Sequence, residues 1–131
     1  MNVFVYFNLR KKCFSIKALE GPKKGRVVAH SDKVLIYGGT FKVSEAGRQR
    51  VLRERKKNVH AGVDGQWVGS LDDELTIERI VYNGTAITYN PYKYDSFVHL
   101  YGEHPIETGR LVALTVTTYN ENKRSHISVW N

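Results

Sequence analysis

The sequence predicts an α+β domain in which a mainly antiparallel β-sheet has one main α-helix, at about residues 45–57, packed on it. Two observations support this fold class. Short β-rich runs separated by turn residues recur from Val3 to Trp130, enough for about nine strands. Only one segment joins an N-cap residue to a proline-free run of helix formers. The length of 131 residues, with 41% hydrophobic and 25% charged, predicts a single globular domain over 1–131.

The first half of the chain predicts one hairpin and two further strands. The runs VFVYFNL (3–9) and CFSIKAL (13–19) flank a short basic turn, which is typical of a hairpin. The runs VVAHS (27–31) and KVLIYGGTFKV (33–43) predict two more strands. A Gly-Gly pair at 38–39 inside the second run indicates a bulge, a bend or a tight turn.

The second half predicts two hairpins joined by a long aromatic connection. The first is ELTIERIVYNGTAITYN (74–90), because an Asn-Gly pair between two β-rich runs is a strong hairpin signal. The connection follows at 91–109, and the second hairpin turns near 120–123.

The predicted helix holds most of the excess positive charge. Its N-cap is Ser44, and Glu45 lies in the first turn, where the helix dipole favours an acid. The net charge of the chain is +7, and residues 48–57 contain six Lys or Arg against one acid, whereas the remainder has 14 basic and 12 acidic residues. This concentration favours a local anion site over a uniformly basic coat for nucleic acid.

Two of the helix arginines are expected to face inward. At about 100° per residue, Arg48 and Arg55 share one arc with Val51 and Leu52, while the other basic residues lie on the opposite side. The outer cations are typical of a solvated helix face. An inward arginine requires a partner, which is either an internal group or an anionic ligand or second subunit.

The aromatic segment from Tyr82 to Arg110 has two interpretations. Aromatic residues on strands usually pack in a core, and they also stack on bases in nucleotide-binding proteins. Asn90 offers an amide to read base edges or sugars, and Arg110 offers a positive charge. From this chemistry we expect Tyr82 or Phe97 to stack on a base, and Asn90 to hydrogen-bond to base edges or sugars. The residues expected to contact phosphate are Arg110, Arg48 and Arg55.

Catalytic and metal-binding patterns are weak. The five histidines show no HxxxH or HxH spacing, and the chain contains no P-loop, no GxGxxG and no GxSxG motif. Cys13 is the single cysteine. We therefore predict no catalytic residue, no metal site and no cofactor, and expect that the protein is not an enzyme. The N-terminus is apolar first and basic afterwards, the reverse of a secretory signal, and no apolar run reaches about 18 residues, so we expect a cytoplasmic protein without a membrane partner.

The run FKVSEAGRQRVLRERKKNVHAGVDG (41–65), after the N-terminal segment VFVYFNLRKKCFSIKAL (3–19), resembles the type 1 Thoeris anti-defence family of small phage proteins. The resemblance covers about the first half of the chain. It implies a non-enzymatic sponge that binds a cyclic ADP-ribose isomer made by a TIR-domain enzyme, or a cyclic di- or trinucleotide, without cleaving it. It further implies a homo-oligomer, a dimer or higher such as a hexamer, with pockets between subunits, in the host bacterial cytoplasm.

Two other functions remain open from the sequence. One is a small RNA- or DNA-binding module that uses the basic helix 45–57 on phosphates. The other is an inhibitor that docks on a host enzyme through the same helix.

Overall fold

The protein is described by a computed structural model that covers residues 1–55, 60–69 and 72–131. In these residues nine strands form one antiparallel sheet, in the order β3-β2-β1-β5-β4-β8-β9-β6-β7, and two helices are present. The strands are β1 (Asn2–Asn8), β2 (Cys13–Ala18), β3 (Val27–Ser31), β4 (Lys33–Val43), β5 (Ala61–Trp67), β6 (Thr85–Thr88), β7 (Val98–His99), β8 (Thr108–Tyr119) and β9 (Asn122–Trp130). The helices are α1 (Glu45–Glu54) and α2 (Asp72–Asn83).

The sheet curls around its main core. Strand β2 lies four places from β8 and five from β9 in the sheet, and yet it packs against both. Side chains alternate between faces along each strand, so Val112 and Leu114 of β8 point into this core while Ala113 points away. The curl therefore brings the β1–β2 hairpin opposite β9 and β6, although these strands are far apart along the sheet.

The predicted arrangement of one main helix packed on a sheet is wrong. The helix that covers the outer face of the sheet is α2, through a second core formed by Leu35, Ile77, Ile80 and Ala113. Burial along α2 follows the period of a helix, because Asp73, Ile77 and Ile80 are buried at spacings of four and three residues. The helices have only 10 and 12 residues, and in the described part of the chain no helix is long and apolar enough to cross a membrane.

The Asn-Gly pair at 83–84 ends a helix instead of turning a hairpin. Asn83 is the last residue of α2, and the Gly84 amide donates to the Ile80 carbonyl oxygen at 2.6 Å. A Cβ atom at position 84 would lie 2.4 Å from that oxygen and 2.7 Å from the Val129 carbonyl oxygen. Glycine is therefore required because the helix end passes close to β9, and only the second strand of the predicted hairpin, β6, forms.

The other two predicted hairpins are confirmed. Strand β1 pairs with β2 from Val3 opposite Ala18 to Asn8 opposite Cys13. Strand β8 pairs with β9 through a two-residue turn, Asn120-Glu121, with φ of 49° and 67°, the backbone that tight hairpins favour. The glycine pair at 38–39 lies at a bulge, where the register of β4 against β5 shifts.

Helix α1 begins as predicted and ends early. The Ser44 side chain accepts a hydrogen bond from the Gly47 amide at 3.2 Å, which confirms the N-cap. The helix ends at Glu54, because Arg55 adopts a left-handed conformation with φ of 54°. The rest of the predicted helix, Lys56 and Lys57, lies outside the described residues.

Candidate functional site

The candidate site is an apolar pocket of about 200 Å³ inside the curl of the sheet. One wall is formed by the end of β1 and the start of β2, and the opposite wall by β6, β9 and the residues that follow β6. The wall includes four inward-facing aromatic side chains, those of Phe7, Phe14, Tyr89 and Phe97. The polar residues that line it are His60, Thr88 and Ser125.

The size of the pocket limits what it can hold. Pockets for drug-sized ligands are typically about 300–1,000 Å³, so a cavity of about 200 Å³ suits one planar ring system. Most of the wall is apolar, and apolar walls favour the face of an aromatic ring over a charged group. The remaining parts of a larger ligand would have to lie outside the pocket.

The aromatic wall is continuous with the core. The ring centroids of His60 and Tyr89 are 5.4 Å apart, those of Tyr89 and Phe97 are 5.3 Å apart, and those of Phe97 and Phe41 are 5.2 Å apart. These separations lie in the range in which aromatic pairs attract each other. The wall is therefore held rigidly, which reduces the ordering that a ligand would have to impose on binding.

The hydroxyl group of Tyr89 has an unusual environment. Its hydroxyl oxygen is buried and makes no hydrogen bond with any residue of the described ranges. Burial raises the pKa of this hydroxyl to about 12; the Arg48 charge works against the rise, and Glu45 and Asp95 add to it. The hydroxyl is therefore neutral at pH 7.

Arg48 fixes the turn that follows Tyr89. Its Nε atom donates to the carbonyl oxygens of Pro91 at 3.1 Å and Tyr94 at 2.9 Å, and its Nη1 atom lies 3.4 Å from Glu45 Oε1. Its side chain is only 16% exposed, so the predicted inward orientation is confirmed. The partner of this arginine is internal, namely two backbone carbonyls and one carboxylate.

The same turn is held from its other side. The Asn90 Oδ1 atom accepts from the Tyr92 amide at 2.9 Å, as in an Asx-turn. Glu103 accepts from both Lys93 Nζ and the Tyr94 hydroxyl. These contacts lower the pKa of Glu103 and raise the pKa of Lys93, each through the hydrogen bond between them first. The turn is thus tied at several points and presents Tyr89 and Phe97 in fixed positions.

The structure brings three of the six predicted site residues together. Phe97 is buried and lines the pocket, and Asn90 directly follows the pocket residue Tyr89. Arg48 holds the turn that lies between Asn90 and Phe97. The ligand-binding role of these three residues stays a prediction.

The other three predicted residues lie apart from the pocket. Tyr82 is 88% exposed on α2, on the outer side of the sheet. Arg110 is exposed near the start of β8, where its amide lies 3.4 Å from Asn131 Oδ1. Arg55 is exposed at the end of α1, so its predicted inward orientation is wrong. The helix angle does not apply to a residue that has left the helix.

Sequence reasoning missed the wall contributed by β1 and β2. Phe7 and Phe14 face the core from neighbouring strands, with ring centroids 5.5 Å apart. The signal was present as alternation, since Val3, Val5 and Phe7 are spaced by two residues. No local pattern shows that this face meets residues 87–97 across the curl. Of the described residues, no cluster of three His, Cys, Asp or Glu side chains is arranged to hold a metal ion.

Comparison with known proteins gives one family. The family model described as "Mycobacterium phage L5 gene 82 protein" matches residues 1–122. The gene 82 protein of Mycobacterium phage L5 is 40% identical over 111 residues, which cover 80% of this chain and 82% of that protein. No solved structure matches the chain.

Proposed function

The chain belongs to the family of the Mycobacterium phage L5 gene 82 protein, and from this premise we propose that it binds and sequesters a small nucleotide signal of the infected bacterium without cleaving it. The resemblance of residues 41–65 to Thoeris anti-defence proteins makes a cyclic ADP-ribose isomer the first candidate and cyclic di- or trinucleotides the next. In this proposal the protein acts in the host cytoplasm as a homo-oligomer.

The pocket is the observation that carries the proposal. Four aromatic side chains line a cavity of about 200 Å³, which suits the size and chemistry of one base. Stacking of a base on an aromatic side chain contributes about 1–3 kcal/mol in nucleic-acid binders. A preformed apolar wall of this kind supplies binding energy without any chemical step.

The polar groups of the pocket favour recognition of an uncharged ring with polar edges. Thr88 and Ser125 are hydroxyl-bearing residues of the lining. A base carries donors and acceptors on its edge, whereas a phosphate placed here would lose its hydration without meeting a cation. The proposal therefore assigns the base, and not the phosphates, to the pocket.

The proposal is tested by binding and recovery of intact ligand. Isothermal titration calorimetry with cyclic ADP-ribose isomers, cyclic dinucleotides and cyclic trinucleotides should give stoichiometric binding for at least one of them. Denaturing the protein should then release the same compound, as identified by mass spectrometry. A new product in place of the ligand would make the protein an enzyme, and the absence of heat with all of these compounds would refute the proposal.

Two further measurements separate the proposal from its alternatives. Native mass spectrometry of the same mixtures reports the number of subunits and the number of ligands per subunit. An RNA- or DNA-binding module would instead prefer a long polynucleotide, with an affinity that falls steeply as salt is raised. Tighter binding of a long oligonucleotide than of every cyclic nucleotide would favour that alternative.

A further inference from the structure

A second concave surface lies at the tips of two hairpins. The cleft is about 490 Å³ in volume and lies between the β1–β2 turn and the β8–β9 turn. Six residues line this tip cleft, namely Lys11, Lys12, Glu121, Asn122, Lys123 and Arg124. Four of them are cations and one is an acid, so the cleft has a formal charge of +3.

The cations of the tip cleft have no ion-pair partner within residues 1–55, 60–69 and 72–131. All four are exposed to solvent. Like charges gathered on one surface repel each other, and an anion bound among them would offset this repulsion.

The backbone of both tips is held in place. The Asn8 side chain accepts hydrogen bonds from the amides of Arg10 and Lys11, both at 3.0 Å, and the Lys12 amide donates to the Asn8 carbonyl oxygen at 2.8 Å. The opposite tip is the tight two-residue turn Asn120-Glu121. The cations therefore project from ordered turns, which lowers the entropy cost of placing them around a ligand.

The tip cleft lies next to the pocket along both walls. On the β9 side, Ser125 lines the pocket and Lys123, two residues away on the same face of the strand, lines the cleft. On the β1–β2 side, Leu9 lines the pocket and Lys11 lines the cleft. Residues two apart along a strand are about 7 Å apart, so one ligand with a sugar between its base and its phosphates can reach both sites.

We propose that the tip cleft is the subsite for the phosphate groups of the ligand whose base occupies the pocket; this inference rests on the proposed function. Arg124 can donate two parallel hydrogen bonds to phosphate oxygens, and Lys11, Lys12 and Lys123 add mobile positive charges. An exposed ion pair contributes little by itself, and several cations are needed for a firm anion site. The chemistry of the ligand is then a diphosphate, such as that of an ADP-ribose derivative.

The test uses inorganic pyrophosphate and amide-detected NMR of the full chain. Pyrophosphate should shift the amide signals of residues 10–12 and 120–124 in a saturable way. The double variant Lys11→Glu/Lys123→Glu should weaken this binding by about tenfold or more, because two charge-assisted contacts are replaced by repulsion. Both positions are exposed, so the variant should retain the wild-type pattern of signals elsewhere.

The matched control is Lys23→Glu/Lys24→Glu. These two lysines lie in the exposed turn between β2 and β3 and do not line the tip cleft, and their replacement changes the net charge by the same amount. Pyrophosphate binding should stay within about twofold of the wild type in this control. Equal weakening in both double variants would mean that only net charge matters, and it would overturn the inference.

Adenosine, which has no phosphate, separates this inference from the proposed function. If adenosine shifts pocket residues such as Thr88 and Ser125 while pyrophosphate leaves the tips unchanged, the inference fails and the base pocket stands. If pyrophosphate binds the tips and neither adenosine nor any cyclic nucleotide binds the pocket, the proposed function fails, and with it the assignment of the tips to the same ligand. A third arm identifies the phosphate source, because preferential binding of a single-stranded oligonucleotide at the tips would overturn assignment to a small ligand.

Discussion

Arg48 Nε lies 2.9 Å from the Tyr94 carbonyl oxygen, and this hydrogen bond joins helix α1 to the turn that follows the pocket residue Tyr89. The same Nε atom is shared with the Pro91 carbonyl oxygen at 3.1 Å. Arg48, the most buried cation of this helix, therefore stabilises the turn next to the pocket. The other arginines within this helix, Arg50 and Arg53, are exposed to solvent.

Replacing Arg48 should destabilise the protein. Arg48→Ala removes the donor from two carbonyl oxygens and should lower the free energy of unfolding by about 1–3 kcal/mol, because these oxygens are part-buried. Urea denaturation followed by circular dichroism measures the change. Arg50→Ala, an exposed position on the same helix, should change stability by less than about 0.5 kcal/mol. Equal effects of the two substitutions would show that the contact with the turn contributes nothing.

Replacing Gly84 should also be costly. In Gly84→Ala the new Cβ atom would lie 2.4 Å from the Ile80 carbonyl oxygen and 2.7 Å from that of Val129, so either α2 or β9 must shift. Overpacking of this kind typically costs about 1–3 kcal/mol. Thermal unfolding should show a lower melting temperature for this variant. Gly69→Ala is the control, since nothing lies within 4 Å of a Cβ atom there. A melting temperature for Gly84→Ala equal to that of the control would contradict the close approach.

Local signals predicted the hairpins, and a local signal produced the main error. The β8–β9 turn lies between two runs that alternate, so its position is encoded within a few residues. At Asn83-Gly84 the same kind of signal pointed to a hairpin, whereas the helical spacing of Asp73, Ile77 and Ile80 decides the outcome. The pair serves as a helix end because the burial of those side chains against β4 and β8 outweighs the turn preference.

The candidate site was harder to predict than the strands. The orientation of Arg48 follows from the helix period alone, but the early end of α1 at Arg55 depends on a left-handed residue that the composition does not reveal. The pocket depends on the curl of a nine-stranded sheet, which brings Phe7 within reach of Ser125. Contacts between such distant segments have no periodic signature in a single sequence.

Filling the pocket should abolish base binding without unfolding the protein. Ser125 is exposed at the pocket rim, so Ser125→Trp places a large ring in the cavity at little cost to the core. Affinity for the cyclic ADP-ribose isomer or for adenosine should fall by at least about tenfold, the equivalent of one lost stacking contact. Calorimetry measures the affinity. Thr118→Trp is the matched control, because Thr118 is exposed on the same β8–β9 hairpin and does not line the pocket. Unchanged affinity in Ser125→Trp would move the base out of this pocket.

The buried Tyr89 hydroxyl should make stability depend on alkaline pH. Its pKa is about 12 in the folded protein against 10.0 for an ordinary tyrosine, so in this interval the unfolded chain releases the proton while the folded chain keeps it. The contribution of the neutral Tyr89 hydroxyl to the free energy of unfolding is fully present below about pH 10. This contribution is lost as the pH rises towards 12, because ionisation of the hydroxyl favours the unfolded state. Urea denaturation at several pH values from 9 to about 12 should show this loss, and Tyr89→Phe should reduce its slope. Tyr101→Phe, at a position that is 96% exposed, should leave the slope unchanged. The same slope in wild type and Tyr89→Phe would mean that this hydroxyl titrates alike in the folded and unfolded chains.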